Sequence, residues 1–379
     1  MKKNQKSMIL LFILLVLFLS GCFSETGAPI AKVGEFETRK APVAVIPSKL
    51  VKTSVASLSA VGDILIHERV YLDAQTENGY DFNPMFAEVK PFLEKSDITI
   101  ANSESIVGGN EVGLSTYPSF NSPFEVADAM KSAGIDVVSM ANNHTLDRGE
   151  KAIVSALKYW DKIGMTHTGA SASEEERNQI PTITKNGIVF SFLSYTYGTN
   201  GIPTPKGKDY LLNRIDKAKM KTDLIKAKAA SDVVVLSLHF GNEYETMPTD
   251  EQKELAHFAA EQGADLILGH HPHVLQPAEW IETTDGKRSF AIYSLGNFLS
   301  GQEGLQRQIG GILHIHAKKT IDANSTTIVL KEPSFTPTYV ESQNHKNYKI
   351  TLLKNADPAA NQAIKDHLSL WVKDLAFDE

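Results

Sequence analysis

From Val55 onward, the chain alternates short apolar runs with longer stretches in which apolar residues recur every three or four positions. A short apolar run bounded by polar residues is typical of a buried β-strand, whereas the three- and four-residue spacing is typical of an amphipathic helix. The predicted strands are 55–61, 97–104, 136–140, 232–238, 264–268 and 289–293. The predicted helices are 124–133, 150–163, 214–229 and 250–262. Strands and helices that alternate in this way predict an α/β domain.

The later part of the chain has a different pattern. Residues 290–340 are mostly strand-like, which predicts a mixed sheet or a second sheet, and residues 359–375 have a helical pattern. The start of helix 250–262 is marked by Thr249 with Gln252 three residues on, the layout of a capping box. We predict one folded domain at 55–345, followed by a C-terminal helical extension at 346–379.

The N-terminus has the parts of an export signal. Three lysines, at positions 2, 3 and 6, precede twelve uninterrupted apolar residues at 8–19. This run is shorter than the roughly 20 residues that a membrane-spanning helix needs, but it fits the core of a signal peptide. It leads into Leu-Ser-Gly-Cys, the pattern of a lipoprotein cleavage site, and Cys22 is the only cysteine. We predict a signal peptide at 1–21 and a lipid on Cys22. A secretory signal with an incidental cysteine is the alternative.

Residues 22–54 are predicted to form the lipidated cysteine and a tether, because they contain scattered prolines and charges without sustained periodicity. The protein would then be anchored to the cell membrane on its extracytoplasmic face. The full chain has a formal charge of −7, and loss of the three lysines in 1–21 leaves −10. A nucleic-acid binder needs a basic surface, so nucleic acid is excluded as a partner. A small anionic substrate held through a metal remains open.

Polar side chains follow five of the predicted strands. They are Asp63, Glu104, Asn143 with His144, His239, and His271 with His273. Ligands of open α/β sheets collect at the carboxyl ends of strands, so we expect these side chains to converge on one edge. Carboxylate oxygens and imidazole nitrogens suit zinc, manganese or iron. The sequence therefore predicts a site for one or two of these divalent metals.

Each of these signals has a structural alternative. The two carboxylates could form turns or helix caps, 142–144 could be a polar turn, and His239 could be a core histidine. The segment 269–273, with three histidines in four positions after a strand, is the hardest to explain by packing. By contrast, His314 and His316 alternate on one strand without acidic neighbours in sequence. We predict that they lie on an exposed sheet face.

Seven short motifs, taken in order, resemble those of the CapA family of poly-γ-glutamate capsule synthesis proteins, also called PgsA. They are GDI at 62–64, ANSE at 101–104, ANNH at 141–144, LDRG at 146–149, HFGNEY at 239–244, GHHPHV at 269–274 and SLGNF at 294–298. The resemblance covers approximately residues 57–300. It implies a calcineurin-like metallophosphatase fold, which is a four-layer αββα sandwich. It also implies a role in the synthesis, export or anchoring of poly-γ-glutamate.

The resemblance further implies a ligand set, with Glu104 bridging two cations. One cation would be held by Asp63, Glu104 and His273, and the other by Glu104, Asn143, His239 and His271. His144 would act as a proton donor, and we assign substrate binding to His270 and Asn297. Two positions depart from the wider phosphatase pattern, since Leu65 stands where a histidine is expected and Glu104 where an aspartate is expected.

Three hypotheses for function follow. In the first, paired cations activate a water for hydrolysis of a phosphoester or an amide, or process polymer ends, and His144 protonates the leaving group. In the second, the protein is a non-catalytic component of the capsule machinery that binds polymer through its metal. In the third, it is a general envelope phosphoesterase. The expected partners are the membrane, poly-γ-glutamate and membrane-bound subunits of polymer synthesis.

Overall fold

The computed structural model describes residues 51–378. The predicted signal peptide, Cys22 and almost all of the predicted tether lie outside these residues. The described strands are β1 (Lys52–Leu65), β2 (Gln75–Thr76), β3 (Gly79–Tyr80), β4 (Ile98–Ser103), β5 (Val137–Ser139), β6 (Thr166–Thr168), β7 (Thr182–Lys185), β8 (Ile188–Thr196), β9 (Val233–His239), β10 (Leu266–His270), β11 (Leu275–Glu282), β12 (Arg288–Leu295), β13 (Asn297–Ser300), β14 (Ile309–Ile321), β15 (Thr326–Gln343), β16 (Lys346–Leu352) and β17 (Ala376–Phe377).

The described α-helices are α1 (Glu68–Asp73), α2 (Asn83–Phe86), α3 (Lys90–Leu93), α4 (Glu125–Ser132), α5 (Gly149–Lys162), α6 (Glu174–Arg177), α7 (Lys217–Ala230), α8 (Asp250–Glu261), α9 (Leu353–Ala356) and α10 (Pro358–Leu368). Of these, α4, α5, α7, α8 and α10 are two turns or longer, and the others are short. Single 3₁₀ turns occur at Asn110–Val112, Asp209–Leu211 and Leu305–Gln308. No helix in the described part is long and apolar enough to cross a membrane.

The first sheet is built around the long strand β1. Its strand order is β16-β15-β14-β1-β4-β5-β6, with β13 also paired to β1 and β17 to β15. Strand β1 runs antiparallel to β14 and parallel to β4 and β13. Helices α4 and α5 connect β4 to β5 and β5 to β6, which makes this half of the sheet parallel.

The second sheet has the order β11-β12-β10-β9-β8-β7. Strands β8, β9 and β10 are parallel and are joined through α7 and α8. The edge strands β7 and β11 run antiparallel to their neighbours. The apolar run of β9 is continuous because both faces of this strand are buried. Val233 and Val235 face the core between the sheets, whereas Val234 and Leu236 pack in the core that contains α7 and α8.

Three apolar cores define the layers. One core lies between the two sheets and includes Leu58 from the first and Phe190 from the second. A second core joins the other face of the first sheet to α4 and α5, where Trp160 is fully buried. The third joins the outer face of the second sheet to α7 and α8 through residues such as Leu224. The order is helix, sheet, sheet, helix, which confirms the predicted four-layer αββα sandwich.

Every predicted strand overlaps an observed one, and the four predicted internal helices overlap α4, α5, α7 and α8. The capping box at Thr249 is present, with both reciprocal hydrogen bonds to Gln252. The predicted helix at 214–229 begins later, at Lys217, because the Asp216 side chain accepts hydrogen bonds from the first-turn backbone N–H groups. The strands β6, β7, β8, β11 and β13 were not predicted separately.

Three predictions differ from the structure. The helix predicted at 359–375 ends at Leu368, the last residue of α10. Residues 346–352, predicted as part of a helical extension, form β16 and pair with β15, because Tyr348 and Ile350 alternate with polar residues and are buried. His314 is buried, not exposed, and its Nδ1 lies 2.7 Å from the Ser59 hydroxyl of the neighbouring strand. His316 on the same strand is partly exposed.

Candidate metal centre

Strand register brings the predicted residues into two rows. In the first sheet, Asp63 of β1 stands beside Asn102 of β4 and Asn297 of β13. In the second sheet, His239 of β9 stands beside His270 of β10. Apart from Asn297, which begins β13, these residues lie at or near the carboxyl ends of parallel strands, as expected for a ligand site. They meet where Asp63 Oδ1 lies 3.2 Å from His270 Nδ1.

The fully buried Asp63 carboxylate holds the histidine segment. Oδ1 accepts a hydrogen bond from Asn102 Nδ2 at 2.8 Å, and Oδ2 lies 3.2 Å from His273 Nδ1 and 3.3 Å from the His271 backbone nitrogen. Burial acts to raise the pKa of Asp63. The contacts with His270 and His273 outweigh burial and hold that pKa well below its usual range. Asp63 is therefore ionised near neutral pH.

Glu104 is fully buried, and neither of its carboxylate oxygens has a hydrogen-bond partner among the described residues. Its Oε1 lies 3.6 Å from His239 Nε2 and 3.7 Å from His273 Nε2. Burial raises the pKa of Glu104 well above its usual range, and the negative charge of Asp63 raises it further. A buried carboxylate without donors is costly unless a cation accompanies it. This orphaned carboxylate is the clearest structural sign of a cation site.

The side chains form two groups that could each hold a metal ion, and we call their five residues the acid–histidine cluster. One group is Glu104, His271 and His273, and the other is Asp63, Glu104 and His239. Within each group the candidate ligand atoms lie within 4.8 Å of one another. Glu104 belongs to both groups, as a bridging ligand would. The partners differ from those implied by the resemblance, which placed His273 with Asp63 and His271 with His239.

The histidines present the form that binds metals. His273 directs Nδ1 towards Asp63 and towards Asn297 Oδ1, at 3.2 and 3.1 Å, which leaves Nε2 facing Glu104. Metal-binding histidines commonly use their second nitrogen in this way. Burial lowers the pKa of His271 to about 3 and lowers that of His239 well below its usual value. Both rings are therefore neutral at pH 7, with lone pairs available for coordination.

The backbone of the histidine segment is unusual. His271 has φ of 96° and His273 has φ of 57°, both in the left-handed region that side-chain-bearing residues seldom adopt. Such conformations persist where the surrounding structure over-determines them, and they cluster at functional sites. Here the Asp63 carboxylate contacts this segment at both its main chain and its side chains. The turn thus presents successive histidines to one carboxylate.

The segment after β5 supplies the remaining predicted residues. Asn143 Oδ1 lies 2.8 Å from His239 Nε2. His144 Nδ1 lies 2.7 Å from Asp147 Oδ2, and the same oxygen accepts a hydrogen bond from the Phe120 backbone N–H at 2.7 Å. Asp147 therefore orients the His144 ring. Asp147 was not among the predicted site residues, although its spacing three residues after His144 was available in the sequence.

Asn297 and His270, which were predicted to bind substrate, are both buried. Asn297 uses its amide within the protein, because Nδ2 donates to Gln302 Oε1 at 3.1 Å and to the Arg307 carbonyl at 2.8 Å. His270 lies against Asp63. Both residues contact members of the acid–histidine cluster, and their substrate-binding roles stay predictions. Asn102, which donates to Asp63, also contacts the cluster and was missed as a site residue.

The described part of the chain is thus a four-layer α/β protein whose two sheets jointly carry a buried acid–histidine cluster. The family model described as "Bacterial capsule synthesis protein PGA_cap" matches residues 57–302, more than half of the chain. The chain belongs to this family.

Two named relatives extend the similarity beyond that segment. The chain is 29% identical over 317 residues to "Capsule biosynthesis protein CapA" of Bacillus anthracis, covering 80% of this chain and 74% of that protein. It is 29% identical over 328 residues to "PGA biosynthesis protein CapA" of Bacillus subtilis (strain 168), covering 82% and 80%.

Among solved structures, the chain is similar to the NAD nucleotidase of Haemophilus influenzae, with a TM-score of 0.46 and 12% identity over 86% of this chain. It is also similar to a 5'-nucleotidase precursor from Thermus thermophilus, with a TM-score of 0.43 and 12% identity over 82%. The chain spans 57% and 59% of these two chains, which is less than two thirds of either.

Proposed function

We propose that this protein is a metal-dependent hydrolase of the extracytoplasmic machinery that makes, exports or anchors a poly-γ-glutamate capsule. The observation that carries the hydrolase part is Glu104, a fully buried carboxylate without a hydrogen-bond donor among the described residues, facing two imidazoles. Family membership and the names of the two CapA relatives support the capsule part.

The residues present fit a pair of divalent cations. Asp63, Glu104, His239, His271 and His273 offer carboxylate and imidazole donors, with the Asn143 amide oxygen beside them. When bound, such cations lower the pKa of a coordinated water and stabilise charge on a phosphoryl or carbonyl oxygen. Zinc, manganese and iron all suit these donors.

The chain's own residues supply the proton and the positioning. His144, oriented through Nδ1 by Asp147, gives a proton to the leaving group. Asn102 fixes the Asp63 carboxylate, and Asn297 fixes the His273 ring. Because the cluster is buried, charges developing beside it are poorly screened by water, and this strengthens each electrostatic contact.

The proposed location follows from the sequence. A lipid on Cys22 would hold the domain on the outer face of the cell membrane, with residues 23–54 as the tether. There the protein would meet nascent polymer and membrane-bound subunits of polymer synthesis. The acidic net charge makes broad electrostatic wrapping of a polyanion unfavourable. Contact with polymer would therefore be local and centred on the metal site.

The test is metal-dependent turnover by the full-length chain. With manganese or zinc, it should hydrolyse a chromogenic phosphoester or γ-glutamyl oligomers. The variant His144→Ala should lose roughly 10²- to 10⁴-fold in kcat. The control is His257→Ala, since His257 pairs with Glu279 at the surface. Turnover that is absent, or that His144→Ala leaves unchanged, would favour the non-catalytic binding role.

A further inference from the structure

Arg307 and Tyr244 stand together beside the acid–histidine cluster. The Arg307 guanidinium carbon lies 5.1 Å from the centroid of the Tyr244 ring, and that ring lies 6.2 Å, centroid to centroid, from the ring of His273. Tyr244 is 44% exposed and Arg307 is half-buried, whereas His273 is buried. The pair is therefore accessible to solvent and lies beside a buried member of the cluster.

Main-chain contacts fix both residues to the cluster. The Tyr244 backbone N–H donates to the carbonyl of Pro272, the residue that precedes His273, at 2.8 Å. The Arg307 carbonyl accepts from Asn297 Nδ2 at 2.8 Å, and the Oδ1 of the same Asn297 amide faces His273. The position of the pair thus depends on the segments that carry the candidate metal ligands.

The charge of Arg307 has no carboxylate partner among the described residues, as is also the case for Arg148, Arg214 and Arg288. By contrast, Arg69 pairs with Glu303, and Arg177 pairs with Asp223 at 2.7 Å. Its cation is partnered by the Tyr244 ring. A guanidinium in this state can bind two oxygens of a carboxylate or phosphate at once.

Glu243 also places a charge near Tyr244. Burial raises the pKa of Tyr244, and the charge of Glu243 raises it further, whereas Arg307 acts in the opposite direction. The Tyr244 ring therefore lies near one cationic and one anionic side chain. An anionic group would be drawn to Arg307 and repelled by Glu243.

We propose that Arg307 and Tyr244 form an anion-recognition subsite that binds the free carboxylate of a γ-linked glutamyl unit while its neighbouring bond lies at the acid–histidine cluster. A carboxylate and a phosphate both present anionic oxygens that a guanidinium binds, so phosphate is the alternative ligand that the experiment must distinguish. This inference rests on the proposed function, because it concerns the substrate of the same site.

The experiment measures binding by the manganese-loaded full-length chain, using calorimetry with two probes, γ-glutamyl-glutamate and inorganic phosphate. The variant is Arg307→Gln. The matched control is Arg288→Gln, because Arg288 also lies over an aromatic ring, 4.3 Å from Trp280, but at the opposite end of β12 from the cluster. The variant Glu243→Gln adds a test of the opposite sign.

The dipeptide should bind about 10- to 100-fold more weakly to Arg307→Gln, the range expected for a lost charged hydrogen bond. The dipeptide should bind more tightly to Glu243→Gln than to the wild type, and its affinity for Arg288→Gln should equal that of the wild type. All variants should contain as much manganese as the wild type. Weakening confined to phosphate would overturn the carboxylate assignment. No binding of either probe to the wild type, or equal affinities in Arg307→Gln and Arg288→Gln, would overturn the subsite. Because binding needs no turnover, an inactive wild type with the expected pattern would contradict only the proposed hydrolysis.

Discussion

Asn143 Oδ1 lies 2.8 Å from His239 Nε2, and this contact joins the two sheets at the site. Asn143 follows β5 of the first sheet, whereas His239 ends β9 of the second. Neither sheet alone therefore contains the candidate ligand set. The site exists only where the packed core between the sheets brings their strand ends together.

Glu104 should destabilise the metal-free protein and stabilise the metal-bound protein. In the presence of a chelator at pH 8, Glu104→Gln is expected to raise the free energy of unfolding by about 1–3 kcal/mol, because it removes an unpartnered buried acid. With metal at about 100 times its Kd, the wild type should gain about 2.7 kcal/mol that the variant does not.

Urea unfolding with chelator and with manganese measures both effects of the Glu104 substitution. Glu111→Gln is the control, because Glu111 is exposed and lies outside the cluster. A metal-free Glu104→Gln protein that is less stable than wild type would contradict the interpretation of Glu104 as an orphaned ligand.

Asp147 should act on turnover through His144. Asp147→Asn is expected to lower kcat roughly 10- to 100-fold at unchanged metal content, because the ring loses the carboxylate that orients it. Asp161→Asn is a matched control, since Asp161 contacts His167 at 3.1 Å at the surface. Steady-state kinetics of both variants measure kcat. Equal small losses of kcat in the two variants would contradict a role of Asp147 in turnover.

His314 should make stability fall in acid. Burial lowers its pKa to about 4, whereas an unfolded histidine titrates near ~6.5. Between these values the unfolded chain binds a proton that the native protein does not, so the free energy of unfolding falls as pH falls. His314→Gln does not titrate and can still bond to Ser59.

As the pH falls below ~6.5, the free energy of unfolding of the wild type should therefore decrease relative to that of His314→Gln, by at most about 1.4 kcal/mol per pH unit. Urea unfolding at pH 7.0 and pH 4.5 measures this difference. Parallel pH dependences of the two proteins would show that His314 contributes no proton linkage.

The sequence predicted the residues of the acid–histidine cluster because polar side chains that end apolar runs are a local signal. It did not reveal Asn102 as a member of the site, because the role of Asn102 depends on a contact between strands, whereas Asp147 was overlooked although its contact with His144 is local. Asn102 reaches Asp63 only through the pairing of β1 with β4. The error at His314 has a similar cause, since alternation on one strand does not show that Ser59 and Ser96 contact the ring.

The reason that position 62 requires glycine is visible only in the folded structure. A Cβ there would come 1.9 Å from the Gly296 carbonyl oxygen, and the adjacent Asp63 N–H donates to that same oxygen at 2.8 Å. Only glycine allows β1 and the turn before β13 to approach this closely. The two glycines were recognised as parts of separate motifs, but their contact was not visible in the sequence.

The most direct measurement is the metal content of the full-length chain by elemental analysis, beside the double variant His271→Ala/His273→Ala and the control His314→Gln. The two ligand groups that share Glu104 predict up to two equivalents of transition metal in the wild type and in the control. The double variant removes both histidines of one group and leaves Asp63, Glu104 and His239, so it should lose the metal of the first group and keep that of the second. A wild-type protein that takes up no metal after incubation with manganese or zinc would contradict the account.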